Sequence, residues 1–126
     1  SFLADAGARA SDAQVWVAVD DRGIVGTVTY VDPGSPLAEV ATQREAEIRT
    51  LAVAPAASGE GIGEALTRAM IDLARDGGFG SVVLSSSTTM RAAHRLYERL
   101  GFVRLPERDW TPGRGIQLIA YELPLT

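Results

Sequence analysis

The chain has 126 residues, 46% of them hydrophobic and 22% charged, which fits one globular domain and excludes wholesale disorder. Sixteen acidic against twelve basic side chains leave a net charge of −4, so neither nucleic acid nor an anionic membrane is expected as a partner. Cysteine is absent, which removes disulfides, thiol catalysis and thiolate metal sites together and fits a cytoplasmic location.

Ser1–Asp12 is small and Ala-rich and reads as the tail of a helix or a loose start. No basic segment leads into an apolar run, so no signal peptide is expected. Gln14–Val19 (QVWVAV) and Ile24–Val31 (IVGTVTYV) flank the polar turn Asp20-Asp21-Arg22-Gly23 and read as a β-hairpin. Asp32–Thr42 carries Pro33, Gly34 and Pro36 and reads as a loop. Ala46–Val53 (AEIRTLAV) reads as a third strand, ended by Pro55. Strict alternation puts Glu45, Glu47, Arg49, Leu51 and Val53 on one face, with Ile48, Thr50 and Ala52 on the other.

A glycine-rich turn, Gly59-Glu60-Gly61-Ile62-Gly63, then leads into a helix. Ile62, Leu66, Ala69, Met70 and Leu73 recur at helical spacing until Gly77-Gly78 ends the run. Ser81–Ser86 is a fourth strand, and Met90–Leu100 a second helix buried through Ala93, Leu96, Tyr97 and Leu100. Phe102–Leu105 and Ile116–Leu123 are the last strands, around a loop holding Pro106, Trp110, Pro112 and Gly113. Strands interleaved with two helices imply a single α/β domain over residues 1–126 with a mixed sheet.

The glycine turn is the strongest local signal. Glycines let the backbone approach a ligand closely, and the first helical turn offers unpaired N–H groups at the positive end of the helix dipole. Those donors suit a phosphate or pyrophosphate. A Rossmann fingerprint needs glycine where Glu64 stands, and a P-loop needs a lysine that the chain lacks. Both nucleotide readings fail. The plain alternative is a glycine turn that only packs tightly.

Ser58-Gly59-Glu60-Gly61-Ile62-Gly63, preceded by Leu51-Ala52-Val53-Ala54-Pro55, resembles the acetyl-CoA signature Arg/Gln-x-x-Gly-x-Gly/Ala of the GNAT (GCN5-related N-acetyltransferase) superfamily. Ala93-His94-Arg95-Leu96-Tyr97-Glu98-Arg99-Leu100-Gly101-Phe102 resembles that family's A-x-x-L-Y-x-x-x-G-F helix end, at the expected distance. The resemblance runs from about Gln14 to Leu123, with most of the family's first strand and first helical region lacking. Two residues depart from the pattern. Ser58 replaces a long Arg or Gln near the pyrophosphate, and Met90 stands where many members have an asparagine on the pantetheine arm.

The resemblance implies an N-acetyltransferase that passes acetyl from acetyl-CoA directly to a primary amine in a ternary complex. The alternative is a non-catalytic acyl-CoA-binding or regulatory module. The implied coenzyme site is Leu51, Ala52 and Val53 for the pantetheine arm, Ser58, Gly59, Glu60, Gly61, Ile62, Gly63 and Glu64 for the pyrophosphate, and Met90. The sheet would splay beyond the third strand and take the thioester. Tyr97 is the implied acid for the leaving thiolate, or else a core residue. Glu47 is the candidate base, against a solvated carboxylate paired with Arg49 or Arg44, or a water chain in its place. Trp110 and Arg114 are candidate acceptor contacts, or Trp110 an anchor of its loop. His94 reads as a surface helical residue. All twelve basic residues are arginine, so no lysine amine exists for a Schiff base or self-acylation. No metal is expected, the acceptor is not legible, and a homodimer is left open.

Overall fold

The computed structural model describes residues 2–5, 13–31, 44–113 and 115–125. Within the Ala-rich start, the described residues form a strand and not a helix tail: β1 (Phe2–Asp5) pairs antiparallel with β2 (Ala13–Asp20), Phe2 opposite Val19. Alanine's helical preference is a weak prior, and a free strand edge outweighs it over four residues. The hairpin forms as expected, with β2 antiparallel to β3 (Gly23–Val31). The predicted loop Asp32–Thr42 lies outside the described residues.

The third predicted strand is β4 (Glu45–Val53), antiparallel to β3 and parallel to β5 (Ser81–Ser87). Between them runs α1 (Ile62–Asp76), and β5 leads into α2 (Arg91–Arg99), which Met90 and Leu100 cap. The chain closes with β6 (Val103–Arg104), β7 (Trp110–Gly113) and β8 (Ile116–Pro124). The sheet order is β1-β2-β3-β4-β5-β8-β6, with β7 also on β8. Sequence reading placed β7 in a loop, because Pro112 and Gly113 disfavour a ladder. Its pairing is with β8 only, and an edge tolerates such residues.

The core lies on one face of the sheet. Ile62, Leu66, Met70 and Ala74 of α1 cover Val25, Val28, Tyr30, Ala46, Ile48, Val82 and Leu84, joined by Tyr97, Phe102 and Tyr121. Gly26 lets α1 come this close: a Cβ there would stand 2.8 Å from Ile62 Cγ2 and 2.9 Å from Leu66 Cδ1. Gly26→Ala is therefore expected to destabilise the fold by roughly 1–2 kcal/mol through overpacking, read as a lower urea midpoint with unchanged slope. An unaltered midpoint would mean that α1 adjusts freely.

One feature breaks the expected alternation. Thr27 pairs with Ala52 and Thr29 with Arg49, so Thr50 and Leu51 together oppose the single residue Val28. This bulge turns the strand over by one residue. Leu51 and Val53 consequently pack against the same cluster as Ile48, while Glu47 stays on the other face.

Candidate active site

Pairing between β4 and β5 starts at Glu45 opposite Ser81 and stops at Ile48 opposite Leu84, although β4 continues to Val53 and β5 to Ser87. Beyond Ile48 the two parallel strands part. Ser85, Ser86 and Ser87 keep their pairing to β8, and Arg49–Val53 keeps its contact with β3. The backbone groups of β4 that point away from β3 thus face an opening instead of a ladder partner. That opening is a cleft of about 320 Å³ walled by Ile48, Arg49, Leu51, the three serines, Met90, Tyr97 and Leu118.

Beside the cleft lies a groove of about 380 Å³, with Leu51 and Met90 lining both. Val53, Ala93 and Leu96 give this groove apolar walls, and Ser58, Gly59, Gly61, Gly63 and Glu64 form its far end. Gly59 and Gly61 have φ of +80° and +82°, left-handed values that side chains other than glycine's disfavour. A Cβ at either would meet nothing within 4 Å and would project into open space. Gly61 caps α1, whose first N–H groups have no helical acceptor.

Two carboxylates flank these donors, and arginines hold both. Glu60 accepts from Arg22 at 2.7 and 3.1 Å, and Arg22 also reaches Asp20 at 2.6 Å and the Ala56 carbonyl at 3.1 Å. The hairpin turn thereby clamps the glycine turn. Arg22 keeps the Glu60 carboxyl below its ordinary pKa. Arg68 first, and Arg99 second, do the same for Glu64, at 3.0 and 3.1 Å. The first helical turn therefore meets a ligand without an uncompensated negative charge. Apolar walls, free strand edge and unpaired N–H groups together fit the thioester arm and pyrophosphate of an acyl-coenzyme A.

Tyr97 belongs to the core and also to the cleft wall. It is 5% exposed, its ring centroid 5.7 Å from Phe102 and 5.8 Å from Tyr121, and it also lines the cleft. Burial, and secondarily Tyr121, pushes its pKa up to about 12. Glu47 is fully buried instead of solvated, between its register partners Val31 and Val83, and is not among the residues lining the cleft. Ala52, across from Thr27, faces a separate shallow depression on the β3 side. Met90 is 48% exposed at the junction of cleft and groove. Trp110 is half-buried on β7 opposite Leu118, and its buried Nε1 has no hydrogen-bond partner among the described residues. Arg114 lies outside the described residues. His94 is half-buried, its Nε2 2.9 Å from the Ser87 carbonyl, so it ties α2 to the end of β5.

Sequence reading missed Ser86, whose buried Oγ lacks a hydrogen-bond partner among the described residues. Its signal was visible: β5 changes from Val-Val-Leu to three successive serines where pairing with β4 ends. Among the described residues no group of His, Asp and Glu is placed to hold a metal ion, and no helix is long and apolar enough to cross a membrane.

A mixed sheet parting between parallel strands above a glycine turn is the fold of acyl-CoA N-acyltransferases. Nourseothricin acetyltransferase superposes with a TM-score of 0.74 at 26% identity, over 92% of this chain and 67% of that one. The structure of yncA from Salmonella typhimurium, solved with its cofactor acetyl-CoA, gives 0.69 at 26% identity, over 90% and 65%. The Acetyltransferase (GNAT) family profile matches residues 2–102, and the chain belongs to that family. The match extends upstream of Gln14 and takes in β1. Human N-acetyltransferase 8B is 37% identical over 89 residues, covering 69% of this chain and 37% of that protein. N-acetylaspartate synthetase of Danio rerio is 38% identical over 104 residues, covering 78% and 33%. The chain thus spans two fifths or less of the length of these two curated relatives.

Proposed function

We propose that this domain transfers an acetyl group from acetyl-CoA directly to a primary amine. One observation carries the reading: the cleft between β4 and β5 and the groove over the first turn of α1 share Leu51 and Met90 as walls, so one extended ligand can span both. The pyrophosphate takes the N–H groups from Gly59 to Glu64, and the pantetheine arm lies along Leu51–Val53. Acetyl-CoA supplies an activated acyl group with a good leaving thiolate.

The chain's own residues then divide the work. An N–H of the parted strand, that of Val53, faces the oxyanion that develops on the acetyl oxygen. Tyr97 donates a hydrogen bond to the departing sulfur. A phenol at about 12 stays protonated at neutral pH, but lies above the ~8.5 of a thiol, so the bond stabilises the thiolate without full proton transfer. The acceptor amine, near 10.4 when free, must lose a proton. Glu47, buried beside the apex of the opening, receives it through water. The unpartnered Trp110 Nε1, one strand from the cleft-lining Leu118, supports an acceptor contact there.

Incubation with acetyl-CoA and a panel of primary amines, followed by release of free thiol, tests this function. Coenzyme binding without thiol release for any amine would leave a binding module instead. The coenzyme end has its own test. Ser58 is exposed at the rim of the groove, so Ser58→Arg is expected to tighten acetyl-CoA by ~0.5–1.5 kcal/mol and to make binding more salt-sensitive. Weaker binding with no salt effect would place the pyrophosphate elsewhere.

A further inference from the structure

We propose that the Ser86 hydroxyl is a binding group for the acyl-coenzyme A arm, donating a hydrogen bond to a carbonyl oxygen of the ligand in the cleft. The assignment rests on the coenzyme reading above.

Ser86 is 5% exposed, and its Oγ has no hydrogen-bond partner among the described residues. A buried hydroxyl left unbonded costs on the order of 1–3 kcal/mol, so native structures keep few of them, and each needs a reason. The strand shows where this one is directed. Ser86 alternates with Leu84 and lies opposite Ile119 on β8, and both of those residues belong to or pack on the core cluster that contains Tyr97. Ser86 therefore sits on the Tyr97 side of the sheet, two residues past the last β4–β5 pair, as part of the cleft wall.

Among the other side chains of the wall, Ile48, Leu51, Met90 and Leu118 bring no donor for a carbonyl, Arg49, Ser85 and Ser87 alternate away from Ile48, Leu84 and Ser86 along their strands, and Tyr97 is assigned above to the sulfur. A purely apolar ligand would leave the hydroxyl as unsatisfied as the free protein does. An acyl-pantetheine arm carries amide carbonyls and a thioester carbonyl, and either kind accepts from a serine O–H. The ligand then supplies an acceptor that the described protein residues do not.

The test is Ser86→Ala, titrated calorimetrically with coenzyme A and with acetyl-CoA, alongside thermal melting of the free protein. The expected result is about 5- to 10-fold weaker binding, with the melting temperature unchanged or raised because no bond is lost in the free state. Equal loss for both ligands assigns the contact to a pantetheine amide carbonyl. Loss for acetyl-CoA alone assigns it to the thioester carbonyl. Unchanged affinity for both overturns the proposal, and so does a clearly lowered melting temperature, which would make the hydroxyl a structural group. A wild-type protein that binds neither ligand would overturn the coenzyme reading itself, and this inference with it.

Discussion

Gly61→Asp is expected to weaken acetyl-CoA binding by at least ~2 kcal/mol, about 30-fold. Gly61 has φ +82° and caps α1, with open space where a Cβ would stand. A carboxylate there would occupy the anion's place and take the helix N–H groups for itself. Aspartate tolerates the left-handed region better than most residues and is a favourable helix cap, so the fold should survive. Gly61→Asn separates the contributions, since it has nearly the same shape and conformational tolerance without the charge. Asparagine should cost clearly less affinity than aspartate if an anion binds here. Calorimetry on folded protein decides it, and an aspartate variant with wild-type affinity would remove the turn from the coenzyme site.

The second large effect is on turnover. Tyr97→Phe keeps the ring among Phe102 and Tyr121 and deletes only the hydroxyl. A hydrogen-bond donor aimed at charge that develops in the transition state is worth roughly 10²–10³-fold, and water entering the cleft replaces part of the loss. The expected outcome is a fall in kcat of ~30-fold or more, with acetyl-CoA affinity and melting temperature nearly unchanged. Normal turnover with a lowered melting temperature would make Tyr97 a core residue alone. The raised pKa adds a signature in stability. Tyr97 ionises near 10 in the unfolded chain and at about 12 in the fold, so its contribution is fully present below pH ~10 and is lost as pH rises towards 12. Tyr97→Phe should lessen the alkaline fall in stability over that interval.

Most of the architecture, including the glycine turn before α1, could be read from the sequence alone. Helical spacing at Ile62, Leu66 and Met70, the β-branched runs and the Gly59–Gly63 turn all report on contacts within a few residues, and such patterns survive in any fold that uses them. The same holds for Tyr97, whose interval from Gly101-Phe102 is set by one helix and its end.

What tertiary structure decided depends on strands far apart in sequence. β1 formed because β2 offered an edge, and β7 because β8 did. The bulge at Thr50-Leu51 arises where β4 keeps β3 but loses β5, and it alone brings Leu51 and Val53 to the face of Ile48. Alternation along a single strand could not reveal that shift, since register belongs to a pair. Burial of Glu47 between Val31 and Val83, and isolation of the Ser86 hydroxyl at the parting of β4 and β5, follow from the same cause. A residue's spacing says which neighbours it can have, but only the assembled sheet determines whether a polar group finds one.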